Sequence, residues 1–583
     1  MGSCSYCIDN VVDITTNIDY FGTSYPWSCN GMAWSVNAYG DSTVLATGVA
    51  DNGCPDLGGG ATLCLPDGCY EFVATDATGF GSYAVYTINT DLIDITIMEA
   101  RNFITAKEIQ LENNWLKPTL NGYPRYEKPP LPTWLAVVVS NLLNSKSLYT
   151  FRLPGFIFLA ITAITTFYFS KKISKKRQTK YITSFVCITS FYVIGIIIEA
   201  PWDIFSHAFM LIAIYFLYDL FTNNFNYHKS ILVCLFIGLS VLSKGPISIY
   251  SMLIPFIISI YLVYKNISMK RSLQILFIII IGTFLGSSWY LYLLFEDSAN
   301  LKLITSKETA NWTSYNVRPF YYYWNFIIQS GIWLVFAAIG LIYPYFRKRI
   351  NNVNYKLFFI WTITSVLLLS VIPEKKPRYL MPVLIPLSFI ISFVIDYCFI
   401  NFHKVKYKFL LKLHSFLIMI IGVSYLIIKH IIMQKDVNTI DIIIFLSIII
   451  QLVNLFKKYE NKSTILSAIL LLFIISNTPT LLETSNKNYN PIKKGNNYNF
   501  KVYSDYKISP EIIWNYGEKI EEYDISKIQH NDNQFGIFSE VKQLNSLIIN
   551  DKEYKIKSFE RFDLNRNGSK KRLVTFLTIY KFE

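Results

Sequence analysis

The sequence predicts a mainly α protein: a polytopic helical bundle in a membrane, preceded by a β-rich, cysteine-bearing extension and followed by a small α/β domain. Three observations carry that prediction. Hydrophobic residues fill 52% of the 583 positions and charged residues 16%, with a mean hydropathy of +0.33, a balance too apolar for an ordinary soluble chain. Apolar runs close to the roughly 20 residues of a bilayer-crossing helix recur from about Leu153 to Ser476. Basic runs fall in alternate links between them. The formal net charge of +14 does not point to nucleic acid, because a nucleic-acid binder gathers Lys and Arg on one soluble face.

Residues 1–90 are rich in Gly, Ser, Thr, Asp and aromatics, with alternating runs such as Ala33-Trp34-Ser35-Val36 and Tyr70-Glu71-Phe72-Val73 between turn residues. They predict a small β module. Its six cysteines, Cys4, Cys7, Cys29, Cys54, Cys64 and Cys69, suggest disulfides and an oxidising compartment. Cys4-Ser5-Tyr6-Cys7 has the spacing of half a zinc or redox site, but no second close His/Cys pair and no βαβ pattern accompanies it. The first thirty residues have neither the basic start nor the apolar stretch of a signal peptide.

Residues 91–152 form a juxtamembrane segment, and its stretch from Glu99 to Trp134 mixes charges, aromatics and prolines. The core, Arg125-Tyr126-Glu127-Lys128-Pro129-Pro130-Leu131-Pro132, predicts a rigid loop, since proline fixes φ and removes a donor. A rigid loop can aim a lysine. Residues 153–482 are the bundle, with about twelve spans expected near 153–170, 181–199, 204–222, 230–243, 247–264, 273–295, 324–345, 356–372, 380–400, 409–429, 438–456 and 463–481. Residues 483–583 are polar, with alternating segments and a helical candidate from Pro510 to Ile520, and predict an α/β domain that caps the bundle or recognises an acceptor.

The basic links, Lys171 to Lys180, Tyr227 to Lys229, Lys265 to Arg271, Arg347 to Arg349, Lys404 to Lys408 and Lys457 to Lys462, are cytoplasmic by the positive-inside rule. The outward set then contains Glu99–Trp134, Glu199–Asp203, Lys244, Glu296–Tyr323, Pro373–Tyr379 and the C-terminal domain. Cations on that side act against the topology signal, and within a span each costs roughly 2.5–3.5 kcal/mol. Lys128, Lys244, Arg318, Lys375, Lys376 and Arg378 are such cations; they either snorkel to headgroups or form an anion pocket. Outward acids accompany them: Glu99, Glu127, Asp203 and Glu374. The outward aromatics, Trp202, Trp312 and Tyr321 to Tyr323, are equally suited to an interfacial belt. No P-loop, Gly-rich dinucleotide turn or HExxH motif is present.

Glu99-Ala-Arg101, Trp115-Leu-Lys-Pro118, Leu120-Asn-Gly122 and Tyr126-Glu-Lys-Pro-Pro-Leu-Pro132-Thr-Trp134 resemble the first outer loop of the bacterial aminoarabinose transferases, GT-C membrane glycosyltransferases related to the protein O-mannosyltransferases. Arg152-Leu-Pro154, Ser243-Lys244-Gly245-Pro246, Ser288-Trp289-Tyr290, Arg318-Pro319 before Tyr321-Tyr-Tyr323, and Lys376-Pro-Arg378-Tyr379-Leu-Met-Pro382 recur in the family's order. The likeness covers about residues 91–583. It implies a GT-C bundle in the bacterial inner membrane, with residues 91–152 and the C-terminal domain on the periplasmic side; the cysteines of residues 1–90, if oxidised, place that extension on the same side. It also implies transfer of a pentose, aminopentose or hexose from a polyprenyl-phosphate carrier to a lipid A-like phosphate. Transfer to Ser or Thr of a protein, or an inactive or flippase-like membrane protein, are the alternatives. By the resemblance Lys128 and Arg318 hold the carrier phosphate with Lys244 and Arg378 beside them, and Tyr379 lines the lipid–sugar cavity. Glu99, Glu127 and Asp203 are the candidate catalytic acids. No cofactor and no metal are implied; the lipid-linked sugar supplies the energy.

Two departures follow from the same alignment of motifs. The family's first span, ahead of Glu-Ala-Arg, has no counterpart among the apolar runs here. Where the family has Asp-Glu this chain has Met98-Glu99, and methionine takes no proton. Asp94 or Glu99 substitutes, or the protein is inactive, or the acceptor is a phosphate, which is already an anionic nucleophile and needs no general base.

Overall fold

The computed structural model describes residues 95–583 apart from 191–192, 194–200, 266, 315, 351–352, 457–466, scattered positions between 468 and 499, 525–532, 544, 550–551, 567–569 and 583; of residues 1–94 it describes only the backbone of six strands. The chain divides into two compact units. One comprises Thr96–Leu142 and Phe151–Leu481; the other comprises Met1–Ile95, Leu143–Thr150 and Leu482–Glu583.

The first unit is the helical bundle. Among the described residues eight helices are long and apolar enough to cross a membrane: Leu148–Ile173, Trp202–Thr222, Tyr227–Lys244, Met269–Gly286, Phe320–Gly340, Asn354–Val371, Pro377–Ile400 and Val405–Ile432. The expected spans at 247–264 and 438–456 form the shorter helices Ile249–Val263 and Thr439–Leu455. The run at 181–199 forms helix Arg177–Thr189 and then passes, like most of 463–481, outside the described residues. The run at 273–295 divides at Ser287 into Met269–Gly286 and Ser288–Glu296.

Pro377–Ile400 is apolar all round and runs through the middle of the bundle, with 89% of its most hydrophobic stretch covered by protein. Close helix contact elsewhere depends on small residues. A Cβ on Gly282 would lie 2.8 Å from the Cys234 carbonyl oxygen, and one on Gly286 would lie 2.5 Å from that of Gly238, so this small-xxx-small pair lets Met269–Gly286 lie directly on Tyr227–Lys244. Ser206 and Ser240 exchange hydroxyl-to-carbonyl bonds of 3.1 and 2.8 Å between Pro201–Thr222 and Tyr227–Lys244, each worth about 0.6 kcal/mol in such a setting.

The second unit holds three sheets. In residues 1–94, Val44–Val49, Ala33–Ala38, Tyr70–Thr75 and Ser82–Ala84 form a four-stranded antiparallel sheet in that order, and Val11–Thr15 pairs with Gly60–Cys64. The expected disulfides lie outside the described side chains. In the C-terminal segment six strands run in the order Glu521–Glu522, Val502–Ser504, Gln534–Ser539, Val574–Phe582, Lys552–Asp563 and Leu547–Ile549. The first two neighbour pairs are parallel and the remaining three antiparallel. Helix Pro510–Tyr516 begins at the expected proline and ends on Gly517, whose φ of +99° suits a helix terminus.

Candidate functional site

The site begins with the way the segment before the bundle folds. Thr96 and Glu99 form a reciprocal capping box that starts helix Ile97–Glu112, so the front of the expected loop is helical. The helix ends on Asn113 at φ +57°. Asn121 and Gly122 then take φ of +55° and +79°, which suits the tight hairpin joining Thr119–Leu120 to Tyr123–Pro124. The buried Glu108 carboxylate serves that turn, accepting from Asn121 N–H at 2.6 Å, from Gly122 N–H at 3.3 Å and from the Thr119 hydroxyl.

The residues just before Lys128 are fixed from several sides. Arg125 donates its N–H to Pro118 O at 2.9 Å and its Nη1 to Thr105 Oγ1 at 2.9 Å, and its guanidinium lies 4.9 Å from the Trp202 ring. The Tyr126 hydroxyl donates to Asp297 at 2.7 Å, which holds that carboxyl below the usual range, while burial pushes the phenol up. Trp134 and Trp289 donate to Trp115 O and Leu116 O at 2.8 and 3.0 Å. Pro129 and Pro130 follow, and helix Leu131–Leu142 begins. The rigid loop expected over 125–132 is present at 125–130, held by these contacts as well as by its prolines, while Leu131 and Pro132 open the next helix because proline is tolerated in a first helical turn.

Helix polarity brings the other residues to the same end of the bundle. Asp203 opens the span ending at Thr222, Lys244 closes the next one, Arg318 precedes Phe320–Gly340, and Lys376 to Tyr379 open Pro377–Ile400. Lys244 and Asp203 form a close ion pair, with Asp203 1% exposed. The Lys244 amine lies 5.0 Å from the centre of the Tyr379 ring, and Lys376 and Arg378 each lie 5.8 Å from it, within cation–π range. Among the described residues no other hydrogen-bond donor reaches either Asp203 oxygen, and Arg378 Nε is buried without a hydrogen-bond partner.

Lys128 lies 3.8 Å from Glu308 with 31% of its side chain exposed. Burial pulls its ammonium below the ordinary lysine range; Glu308, Asp203 and Glu127 oppose that shift and Lys376 adds to it, so all of these charges lie within electrostatic reach of Lys128. Arg318 is held through its backbone: its N–H donates to Pro373 O at 3.2 Å, and Lys375 N–H donates to Asn316 O at 3.1 Å. Its side chain is exposed and makes no hydrogen bond or ion pair among the described residues.

The remaining sequence-predicted residues separate by surroundings. Glu99 is fully buried in a bidentate pair with Arg152 at 2.7 and 3.1 Å, and it also accepts the Thr96 N–H at 3.0 Å. Glu127 is exposed beside Lys128. Met98 is half-buried in the first turn of Ile97–Glu112, and Asp94 lies outside the described residues. Lys375, expected among the anion-facing cations, is 3% exposed and donates to Arg318 O at 3.1 Å and Ile372 O at 2.5 Å; burial lowers its pKa. Glu374 pairs with Lys376. Sequence reading missed Glu308, Arg125 and His207. His207 follows Asp203 by four residues and so shares its helical face, a spacing that was available as a signal.

Comparison with known proteins bears on the fold. Residues 127–295 match the family model for dolichyl-phosphate-mannose-protein mannosyltransferase. Solved structures of ArnT from Cupriavidus metallidurans superimpose with a TM-score of 0.61 in the apo state and 0.59 bound to undecaprenyl phosphate; the apo match covers 83% of this chain and 94% of that one at 12% identity. This is a GT-C fold. Among curated relatives, an undecaprenyl phosphate-alpha-4-amino-4-deoxy-L-arabinose arabinosyl transferase from Wigglesworthia glossinidia brevipalpis is 24% identical over 340 residues, 56% of this chain and 59% of the relative. A protein of the same description from Pseudomonas fluorescens is 19% identical over 308 residues, 50% of this chain and 54% of the relative. The chain thus spans somewhat over half the length of these relatives. The GT-C bundle sets Lys128, Asp203, Lys244, Arg318 and Tyr379 at one end.

Proposed function

We propose that the protein is a glycosyltransferase that moves a sugar from a polyprenyl-phosphate carrier to an anionic lipid phosphate at the outer face of the bacterial inner membrane. One observation supports this most: Lys128, Lys244, Lys376 and Arg378 converge with Tyr379 at the end of the bundle that also carries the Arg318 side chain, unpaired among the described residues. In the reaction, the bond between the sugar's anomeric carbon and the carrier phosphate oxygen breaks. The electron pair leaves with polyprenyl phosphate, and the acceptor oxygen bonds to the anomeric carbon. Charge grows on the departing phosphate, so fixed cations in poorly hydrated surroundings stabilise the transition state most.

Lys128 and Arg318 hold the carrier phosphate, and Lys244 sits beside it, kept in place by Asp203. Glu127 is the acid nearest the loop lysine in sequence. Glu99, bound on both oxygens by Arg152, holds the start of Ile97–Glu112. Met98 suits a phosphate acceptor, which brings no proton to remove. The chemistry proposed uses no metal and no cofactor. A second reading, transfer to a protein hydroxyl, draws on the mannosyltransferase family match over 127–295.

The test is incubation of purified protein in lipid nanodiscs with a radiolabelled polyprenyl-phosphate sugar and either a lipid A-like phosphate or a Ser/Thr peptide. Label on the lipid supports the proposal, and label on the peptide replaces it with the second reading. Carrier movement across the bilayer without transfer overturns both.

A further inference from the structure

His207 is 2% exposed, one helical turn from Asp203, and its Nδ1 lies 2.9 Å from the Ser248 hydroxyl. Ser248 Oγ lies 2.7 Å from Ser206 Oγ, and Ser206 Oγ in turn lies 3.2 Å from Ser240 Oγ. These four side chains are buried and form a continuous polar network between Pro201–Thr222 and the turn after Lys244. That turn is sharp. Gly245 has φ +75° with its N–H on Val241 O at 2.6 Å, Pro246 follows, and the Ile249 and Tyr250 N–H groups return to Pro246 O at 3.0 and 3.2 Å. The chain then enters a single π-helical stretch, Ile249–Leu253, before resuming as an α-helix. A glycine–proline turn leading into a wider helix has weak local preferences of its own, so side-chain contacts decide its position.

We infer that His207 is a positioning residue: through Ser248 it fastens the 244–248 turn to the helix bearing Asp203, and so fixes where the Lys244 ammonium meets the carrier phosphate. The two attachments of the turn are complementary. The Asp203 carboxylate holds the Lys244 amine at the front of the turn, and the His207 imidazole, together with the Ser206 hydroxyl, holds Ser248 at its back, four residues on. With both in place the lysine neither slides along the helix axis nor rotates off the Tyr379 ring. Loss of the rear attachment leaves the charges present but lets the turn shift, and a displacement of even 1 Å at a charge-stabilising group is costly. The side chain acts through the turn and touches no reacting atom. Asparagine is the conservative replacement, because its amide places a polar atom close to the position of Nδ1.

This inference rests on the proposed function only for its activity readout, so the experiment has two arms. In the first, backbone amide hydrogen exchange is followed over residues 245–250 of the full chain in nanodiscs. His207→Ala and Ser248→Ala should each speed exchange there, the double variant should be no faster than the faster single, and His207→Asn should return toward the wild-type rate. Unchanged exchange in His207→Ala, or singles whose effects simply add, would overturn the fastening. In the second arm, His207→Ala should lower kcat/KM for a polyprenyl-phosphate sugar about tenfold, with kcat falling because the displaced ammonium meets the growing charge less well, and His207→Asn should restore it. An unchanged kcat, or no rescue by asparagine, would overturn the link to Lys244. A wild-type protein that neither binds nor uses the carrier removes the proposed function but leaves the first arm to judge the fastening.

Discussion

The two ends of the bundle carry similar charges and use them differently. At the end of the basic links, Asp219 is bound by Lys172 at 2.8 Å and Lys229 at 2.6 Å, and Asp396 by Lys176 at 2.8 Å and Gln178 at 2.5 Å; Lys172 also lies 3.2 Å from the Tyr215 ring. Each acid there has its partners. At the Lys128 end the nearest acid to Lys128 is 3.8 Å away, Arg318 has no side-chain partner among the described residues, and Arg378 Nε is buried without one. A buried donor left unsatisfied is costly, and in the proposed function the carrier phosphate would give Arg378 Nε a partner. In the proposed function the first end serves stability and topology, and the second receives a guest.

Breaking that contrast should produce effects of graded size. The largest is expected where the Lys128 end has its own internal support: Glu99→Ala strands Arg152 in a buried site and should cost about 3–5 kcal/mol, measured as a fall in the detergent-resistant unfolding midpoint. Lys128→Ala should leave folding intact and lower kcat/KM about a hundredfold, the cost of one preorganised charge donor, measured with labelled carrier. The pH dependence comes next. Because burial sets the Lys128 pKa below the ordinary lysine value of 10.5, the ammonium that captures phosphate is lost as pH rises through that lowered value. Carrier affinity should therefore fall on the alkaline side before a surface lysine titrates. Lys128→Arg, charged throughout, should extend that limb, as binding measured from pH 7 to 10 would reveal. The smallest effect is expected at the other end: Lys176→Ala, whose side chain is 52% exposed, should change stability by less than about 1 kcal/mol and leave transfer within twofold. A large activity loss there would erase the distinction between the ends.

How far each feature was legible in the sequence depends on whether its cause is local. The spans were visible because hydropathy is a property of contiguous residues, and the gathering of Lys128, Lys244, Arg318 and Arg378 followed from alternation of the links. The loop at 125–130 was legible in its prolines. Helix Ile97–Glu112 was not anticipated, although Thr96 and Glu99 carry its capping signal, because the charges around it suggested a loop throughout. The division of 273–295 at Ser287 has no signal in hydropathy, since the runs on both sides are equally apolar. Lys375 was expected to face an anion, and the structure shows it bound to the carbonyls of Arg318 and Ile372. Nothing in the sequence distinguishes a lysine that stitches backbone from one that awaits a ligand; only the partner's position, 57 residues away in the chain, decides it.

The backbone-only attachment of Arg318 has a consequence for turnover. In the proposed reaction the polyprenyl phosphate left behind is a more highly charged anion than the donor, so a site of rigid cations would retain its own product. The exposed Arg318 side chain keeps its rotamer freedom in the empty protein, and up to about 2 kcal/mol of that freedom is recovered when the phosphate leaves. At 1.36 kcal/mol per tenfold in rate, that entropy would speed dissociation about thirtyfold. In that reaction a loose arginine beside a lysine on a rigid loop would divide the labour between gripping the donor and letting the spent carrier go.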